Sequence, residues 1–536
     1  MAFTASAVME MRASGGSNLN SGVFDAGVAV PGTDYTLQDS SQANGTDLVS
    51  ANGTNATPSV TSVGYTFTTA DEGNSIVVSA GTNWTVSVYI ITDTSGGAAI
   101  LDKACGSVDV LAAGTWRMGG AYPGGNATAG ISDDARFELL VGGNTAWVKA
   151  GTYAMGTVSI TSSSGTATNR IKAFGYNSTR GDNPTGSNRP IWGAGANAVT
   201  SGNSAYEYRH IQFTGTGTNL LSVGASSYAE NVKAVNSSIS PGRIAITINT
   251  SSELFRSESV SQNGIAISAS STSISIIGND AHDSDTGISI TNNNSMNISF
   301  NLLTNNKTAG ISATAISPRV TINSNTIYGS QAKIGIGISM SGVTSSNTRI
   351  YNNTFSGLAE GINIGTVLQD SVVENYNNFH NNTTDRTNIN TGANSIALDP
   401  TFTSVTQITG TGATSDAAVI TMTGADLSTV AVNDFIRVVS ATTAAAMTYR
   451  ITAFDDGADT VTVDPTIGTG SNIVWSIGTN RNFSVGTNMK AVGFPGAFSS
   501  NSVETTGYLD IGAVQRVEPA SGGGLLRPVS MGGGLI

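Results

Sequence analysis

Gly264-Ile265-Ala-Ile267 returns as Gly287-Ile288-Ser-Ile290, and the same phrase, a glycine followed by alternating aliphatic residues, recurs between positions 242 and 364. The six copies are Gly242-Arg-Ile244-Ala-Ile246, Gly264-Ile265-Ala-Ile267, Gly287-Ile288-Ser-Ile290, Gly310-Ile311-Ser-Ala313, Gly335-Ile336-Gly-Ile338 and Gly361-Ile362-Asn-Ile364. Consecutive glycines lie 22, 23, 23, 25 and 26 residues apart. A nearly fixed period of this length predicts a solenoid, in which each short strand buries its apolar face against the next copy.

A second β-run follows each phrase and recurs in step with it. The runs are Ile274-Ser-Ile276-Ile277, Met296-Asn-Ile298-Ser-Phe300, Val320-Thr-Ile322, Arg349-Ile350-Tyr351 and Val372-Val373. Asparagines close them, at Asn279, Asn301, Asn323 with Asn325, Asn352 with Asn353, and Asn375 with Asn377. Asparagine suits sharp corners, and amides stacked at one corner can bond one another along the column.

These two ladders predict a parallel β-helix whose coils have at least two sheets. Leucine-rich repeats have a similar period but need regularly spaced leucines, and leucine is scarce here. Crossover chirality leads us to expect a right-handed coil. The predicted fold class is therefore all-β, a right-handed parallel β-helix flanked by small β-sandwich or barrel modules.

Composition narrows the functional classes. Charged residues make up 11% of the chain, against about a quarter in an ordinary domain, and the repeating apolar pattern argues for order. The net charge of −12 disfavours nucleic-acid binding, which needs a basic surface. Cys105 is the single cysteine, so thiolate metal clusters and an intrachain disulfide are excluded. The first ten residues lack the basic region of a signal peptide, and no apolar run is long enough for a membrane span, so we expect folding in a bacterial-type cytoplasm.

The chain divides into six predicted segments. These are an extended attachment segment at 1–55, a small β-domain at 56–125, the β-helix at 136–402, a second small β-domain at 403–480, a closing coil or strand at 481–518 and a glycine-rich tail at 519–536. The two small domains resemble duplicates, because a tyrosine-led strand lies between Ser79 and Asp102 as it does between Ser440 and Asp464. Two unrelated meanders with similar turns are the alternative.

Several phrases resemble the right-handed β-helix virion proteins of bacteriophages, of the tail fibre, tailspike or capsid-appendage type. They are Ala146-Trp-Val-Lys-Ala-Gly-Thr-Tyr153, Gly175-Tyr176 with Gly181-Asp182, Pro31-Gly32-Thr33-Asp34-Tyr35 and Tyr508-Leu-Asp-Ile-Gly-Ala-Val-Gln515. This resemblance implies a virion surface component, made in the host cytoplasm, that forms a homotrimer and contacts other virion proteins. It carries no catalytic signature.

The candidate catalytic residues are acids predicted to stack on adjacent coils. Glu258 precedes its glycine by six residues and Asp280 by seven, and Asp283 lies in the same acidic turn. Carboxylates on neighbouring coils, about 4.8 Å apart, can develop the separated pKa values that hydrolysis needs. Solvated turn acids are the competing interpretation, and a calcium site is a third; no other cofactor is expected.

Trp147 and Trp192 are the candidate glycan-binding residues, with Tyr176 and Tyr208 beside them, because aromatic rings stack on sugars. The competing interpretation places these rings at the end of the apolar core. Two main functions remain open: a non-enzymatic virion structural component that contacts host surface polysaccharide, and a tailspike depolymerase acting through the acids. A bacterial carbohydrate-binding adhesin is a third.

Overall fold

The computed structural model describes residues 8–20, 22–24, 41, 43–125, 133–155, 158–160, 165–194, 199–201, 205–238, 240–291, 295–314, 319–329, 335–342, 347–365, 371–402, 404–432, 434–483 and 512. The phrase at 31–35, most of 508–515 and the tail at 519–536 lie outside these residues. The chain forms two compact units, residues 1–236 with 245–258, and residues 237–244 with 259–536.

Strands dominate the described residues. The first two are β1 (Val8–Met11) and β2 (Val23–Phe24). The next six are β3 (Ala43–Ser50), β4 (Ser59–Thr61), β5 (Ser75–Ala80), β6 (Ser87–Ser95), β7 (Ala98–Leu101) and β8 (Leu111–Met118). One short α-helix, α1, spans Asp133–Phe137, and single 3₁₀ turns span Thr69–Asp71 and Gly186–Asn188.

Short strands then follow in regular succession. They are β9 (Thr145–Lys149), β10 (Thr152–Tyr153), β11 (Val158–Ile160), β12 (Ile171–Tyr176), β13 (Ile191–Ala194), β14 (Val199–Ser201), β15 (Tyr206–Arg209), β16 (Gln212–Gly215), β17 (Asn219–Val223), β18 (Tyr228–Glu230), β19 (Lys233–Asn236), β20 (Arg243–Ile248), β21 (Glu253–Phe255), β22 (Glu258–Ser261), β23 (Gly264–Ala269), β24 (Ile274–Ile277), β25 (Asp280–His282), β26 (Thr286–Thr291), β27 (Met296–Ser299), β28 (Leu302–Thr304), β29 (Ala309–Thr314), β30 (Val320–Asn323), β31 (Thr326–Tyr328), β32 (Ile336–Ser341), β33 (Thr348–Tyr351), β34 (Thr354–Ser356), β35 (Glu360–Ile364), β36 (Val372–Asn375), β37 (Asn378–His380) and β38 (Thr384–Thr387). The last six are β39 (Ser404–Asp416), β40 (Val419–Thr421), β41 (Phe435–Thr442), β42 (Thr448–Asp455), β43 (Thr460–Asp464) and β44 (Gly470–Asn482).

The short strands stack in three parallel ladders, so the predicted parallel β-helix is confirmed and each coil has three sheets. In the first unit the ladders run β1-β9-β12-β15-β18-β21, β10-β13-β16-β19 and β11-β14-β17. In the second unit they run β24-β27-β30-β33-β36, β25-β28-β31-β34-β37 and β23-β26-β29-β32-β35-β38.

The isoleucine phrases form one buried column in the second unit. Ile267 lies opposite Ile288, followed in register by Ile311, Ile338 and Ile362, and all five are fully buried. Isoleucine is stiff and branched at Cβ, so identical side chains stack closely in successive strands. This column is the core that the sequence period predicts.

The asparagine corner is a hydrogen-bonded ladder, as its spacing predicts. Each side-chain oxygen accepts from both the backbone N–H and the side-chain amide of the asparagine one coil earlier, at 2.9 to 3.0 Å. The members are Asn279, Asn301, Asn325, Asn353 and Asn377, all buried. Residues just before them, such as Phe300 and Ser324, have left-handed φ values of 57° and 53°.

The isoleucines of the neighbouring sheet, β24 to β36, form a second column, and a polar cap closes its far end. Glu374 continues the register of Ile276, Ile298, Ile322 and Ile350. Its buried carboxylate accepts from Arg386 Nε at 2.6 Å, the Gly392 N–H at 2.8 Å and the Ser395 hydroxyl at 2.7 Å. The segment 384–398 is thereby held on the last coil.

The two small domains are closed six-stranded barrels with the same strand order. The first runs β3-β4-β7-β6-β5-β8 and the second β39-β40-β43-β42-β41-β44. In each, a tryptophan of the last strand lies opposite a glycine of the first, Trp116 with Gly45 and Trp475 with Gly410. A Cβ on either glycine would lie under 3.0 Å from the indole, so the pairing requires glycine.

The first barrel interrupts the β-helix instead of following an extended segment. The expected segment at 1–55 contains β1, which pairs in parallel with β9 as an extra rung, and β3, which is the first barrel strand. Met9 and Met11 of β1 are buried. Glu10 between them is also buried and pairs with Arg12 at 3.0 Å and with Arg180. Because a charged residue interrupts the apolar stretch, the sequence of β1 does not look like that of a buried strand.

Candidate functional site

Glu258, the first candidate acid, takes part in an ion pair of the first unit. It opens β22, and its Oε1 lies 2.8 Å from Lys233 Nζ, with both side chains about a quarter exposed. Arg189 also interacts electrostatically with the Glu258 carboxylate. Burial lowers the pKa of Arg189, and the negative charge of Glu258 opposes that shift. The carboxylate of Glu258 therefore sits in a basic environment.

His210 lies on the same flank, and its surroundings lower its pKa. Burial is the largest cause that lowers its pKa, and the Arg189 charge adds to it. Its Nδ1 is 2.6 Å from Asn231 Nδ2, and Asn231 Oδ1 accepts from Arg189. These contacts make His210 a packing residue at a left-handed corner, with φ 57°.

Asp280 and Asp283 belong to the second unit and differ in environment. Asp280 is the half-buried first residue of β25, opposite Leu302. Asp283 occupies the following corner with φ 50° and is 6% exposed. Its Oδ2 lies 2.6 Å from His282 Nδ1, and its Oδ1 accepts from Asn305. The acidic turn is therefore not a solvated loop at Asp283.

The second barrel covers this turn. Fully buried Arg437 of β41 lies 3.1 Å from Asp285 Oδ1 and donates to the Thr448 hydroxyl at 2.9 Å. Burial lowers the pKa of Arg437, and Asp285 opposes that shift. Lys307 Nζ donates to the Ala446 carbonyl at 3.0 Å, and the Ser476 hydroxyl to Asn305 at 3.2 Å. Asp285, Lys307 and Asn305 therefore hold the barrel on the coils.

The two candidate tryptophans lie in different places. Trp192 is 2% exposed, between Phe137 at 5.7 Å and Phe213 at 5.5 Å, in edge-to-face contacts, so its ring has no surface for a sugar. Tyr176 and Tyr208 are buried as well. Trp147 is half-buried on the outer face of β9, edge-on to Phe174 at 5.6 Å and beneath the Arg180 guanidinium at 5.7 Å.

A column of aromatic and charged side chains continues outward from Trp147 along the first unit. In register, Trp147 is followed by Phe174, Arg209, Glu230 and Phe255 on successive strands. A second column two residues away runs Lys172, Glu207, Tyr228 and Glu253. We call Phe174, Glu207, Arg209, Tyr228, Glu230 and Arg256 the arginine–aromatic face.

Arg209 is the centre of this face. Its Nε lies 2.6 Å from Glu207, and its Nη1 lies 3.3 Å from Glu230. The same guanidinium sits over the rings of Phe174 at 5.5 Å and Tyr228 at 5.2 Å. Arg209 is 38% exposed and Arg256 41%, so solvent reaches both cations.

Glu230 is the most heavily contacted acid of the face. It pairs with Arg256 at 3.4 Å and accepts from the Tyr228 hydroxyl at 2.9 Å. Burial, then the charge of Glu230, raise the pKa of Tyr228, so the phenol stays a donor. Chemically, the face offers planar rings, guanidinium donors and carboxylate acceptors within a few ångströms.

Sequence analysis missed Glu207, Arg209, Tyr228, Glu230 and Arg256. A signal existed: Tyr206-Glu-Tyr-Arg209 and Tyr228-Ala-Glu230 alternate with period two, and Glu207 and Arg209 each precede their partners by 21 residues. Glu207, Arg209, Tyr228 and Glu230 occupy outward positions of strands, whereas the acids predicted to stack lie in or beside turns.

Comparisons with known proteins agree on the solenoid. Residues 219–367 match the family described as "Right handed beta helix region", which supports the expected hand. No protein with a curated description matches the sequence.

Solved structures are similar at low identity. Pectate lyase Pel9A is 13% identical over 73% of this chain and 94% of its own, with a TM-score of 0.41. The tailspike of E. coli bacteriophage HK620 is 10% identical over 68% of this chain and 92% of its own, with a TM-score of 0.26. The periplasmic alginate epimerase AlgG is 12% identical over 48% and 76% respectively, with a TM-score of 0.27.

Two features are absent from the described residues. No helix there is both long and apolar enough to cross a bilayer. No group of three or more His, Cys, Asp or Glu side chains there is placed to hold a metal ion.

Proposed function

We propose that this protein is a non-enzymatic structural component of a bacteriophage virion, a surface appendage of the tail fibre, tailspike or capsid-decoration type that contacts host glycans. The observation that carries the proposal is the use of the flank acids: Asp285 pairs with Arg437 of the second barrel, Asp283 contacts His282 and Asn305 within the coils, and Glu258 pairs with Lys233. Acids engaged in structural contacts leave the β-helix as a stiff support.

Two further features support a rigid appendage. The isoleucine column and the asparagine ladder bind each coil of the second unit to the next, so the coils resist separation. The entry phrase at 146–153 forms strands β9 and β10 of the first described coils, where the resemblance to phage proteins places it. Homotrimer formation, contact with other virion proteins and synthesis in the host cytoplasm belong to the same proposal.

The depolymerase alternative draws on one specific arrangement. Glu207 and Glu230 stand on neighbouring strands and share one guanidinium, Arg209. Two carboxylates beside a sugar-sized platform are the minimum for glycoside hydrolysis. Both carboxylates are engaged in ion pairs, Glu207 with Arg209 and Glu230 with Arg209 and Arg256, and a substrate would have to displace these pairs to reach them.

Location and activity are tested separately. Virions purified from lysates of the phage that carries this sequence are expected to contain the protein at a fixed stoichiometry to the major capsid protein. Its absence from purified virions would refute the structural role.

Activity is tested with the purified full-length chain and host capsule or lipopolysaccharide. We expect no new reducing ends and no unsaturated uronates. Release that disappears in Glu207→Gln or Glu230→Gln would establish a depolymerase at the arginine–aromatic face. Release that disappears in Glu258→Gln or Asp280→Asn would place the activity at the acids predicted from sequence.

A further inference from the structure

We propose that the arginine–aromatic face binds an uncharged, hydroxyl-rich polysaccharide that lies along the stacked strands. The inference rests on the proposed function and adds a location and a ligand class to it. It is carried by the side-chain arrangement of strands β12 to β21 in the first unit.

The face has the chemistry that sugars require. Phe174 and Tyr228 present half-buried rings on the outer surface of the sheet, and the buried Phe255 ring packs against Tyr228 at 5.3 Å. The apolar faces of pyranose rings pack on such aromatics, while their hydroxyls need donors and acceptors at the rim. Arg209 and Arg256 supply donors, and Glu207 and Glu230 supply acceptors.

Repetition favours a polymer over a single sugar. Neighbouring strands are about 4.8 Å apart, so the two steps from Phe174 on β12 to Tyr228 on β18 span about 10 Å along the sheet. A chain of several sugar units placed parallel to this direction meets a ring or an ion pair at each step.

Charge balance selects an uncharged ligand. The face holds two arginines and two glutamates. Beside it, Lys172 and Glu253 lie on the second column and Arg170 lies over the Tyr228 ring at 5.7 Å, so the area has four cations and three carboxylates and is close to neutral. Arg209 lies between Glu207 and Glu230, and Arg256 pairs with Glu230. A polyanion would therefore meet the carboxylates of Glu207 and Glu230 at the two arginines of the face, in a chain whose net charge is already −12.

The side chains are held in place before any ligand arrives. Arg209 is fixed by two ion pairs and two ring contacts, and the Tyr228 hydroxyl by Glu230. Side chains already ordered lose little conformational entropy on binding. The same contacts fix the pattern of donors and acceptors, which gives selectivity for particular hydroxyl positions.

The experiment uses the full-length chain on an array of purified bacterial surface polysaccharides, one set of uncharged O-antigens and one of uronate-rich capsules. We expect binding within the uncharged set, weakened about tenfold or more by Tyr228→Ala and by Arg209→Ala. Tyr228→Phe, which keeps the ring, should retain most of the affinity. Arg349→Ala, an exposed arginine on β33 of the second unit, is the matched control and should bind like the unaltered protein.

Three results would overturn the inference: binding confined to uronate-rich glycans, binding that Tyr228→Ala and Arg209→Ala leave unchanged, or no binding to either set. Circular dichroism and thermal unfolding verify that each variant is folded. Copurification with virions does not depend on this face, so failure of the inference is distinguishable from failure of the proposed function.

Discussion

Replacing Asn325 by alanine tests how much the asparagine ladder contributes to the β-helix. The Asn325 side-chain oxygen accepts from the backbone N–H and the side-chain amide of Asn301, both at 2.9 Å. Its own amide donates to the Ile298 carbonyl at 3.0 Å and to Asn353 at 2.9 Å. All three asparagines are buried, so water does not replace these partners directly.

The expected loss follows from the groups left without partners. Asn325→Ala leaves two buried donors of Asn301 unpaired, and each such donor costs about 2 kcal/mol. The local unfolding free energy of the neighbouring coils should therefore fall by about 4 kcal/mol. Because the chain has several domains, a single global transition is a poor measure. Native-state hydrogen exchange of peptides from 274–380 resolves the coils concerned.

Asn323→Ala is the matched control on the same coil. Asn323 is also buried, but no hydrogen bond reaches its side-chain oxygen, so its truncation should cost about 1 kcal/mol or less. If Asn325→Ala and Asn323→Ala weakened protection equally, or if Asn325→Ala cost under about 1 kcal/mol, the ladder would contribute nothing specific.

Three further predictions concern the ends and the barrels. Arg437→Ala should remove the hydrogen bonds that Arg437 donates to Asp285 and to the Thr448 hydroxyl, at a cost of about 2 kcal/mol. The loss should appear as faster hydrogen exchange at 280–286, whereas Arg450→Ala, on an exposed pair, should have little effect. Glu10→Gln should leave Arg12 and Arg180 buried without a carboxylate, exposing strand β1 to exchange at a cost of about 3 kcal/mol; unchanged protection of residues 8–12 would contradict this. The Gly64 N–H and the Ser62 hydroxyl lower the pKa of Asp47 from 3.8 to about 2, so its contribution to the first barrel is complete above pH 3.8 and is lost as the pH falls through 2. Acid titration of Trp116 near-ultraviolet dichroism should show this loss, and Asp47→Asn should remove that pH dependence.

Sequence periodicity predicts the coils because one physical rule, burial of a two-residue alternation against the next copy, acts at every turn. Ile288 and Ile311 and the asparagines from 279 to 377 follow that rule, so their stacking is readable from spacing alone. The third sheet of each coil is hard to predict from sequence, because strands such as Thr354–Ser356 are short and mostly polar and give no clear alternation.

The candidate site was harder to predict because it depends on contacts distant in sequence. The sequence around Asp283 gives no sign of Arg437, which belongs to a barrel more than 150 residues later in the chain. Because Arg437 binds this acidic turn, the turn lies in an interface and not on an open surface. Trp192 and Trp147 are indistinguishable by composition, yet the pleat directs one inward and the other outward. The position of Arg209 between Glu207 and Glu230 depends on how β15 and β18 are aligned, and the sequence alone does not give that alignment.

The cap built around Glu374 also bears on how copies of the chain can associate. An uncovered final rung would present free strand edges, the surface on which β-solenoids join head to tail into filaments. Here the segment 384–398 is fastened over that rung by Arg386, Gly392 and Ser395. Growth from this end is therefore disfavoured, and copies of the chain that associate would do so side by side, through lateral surfaces of the coils.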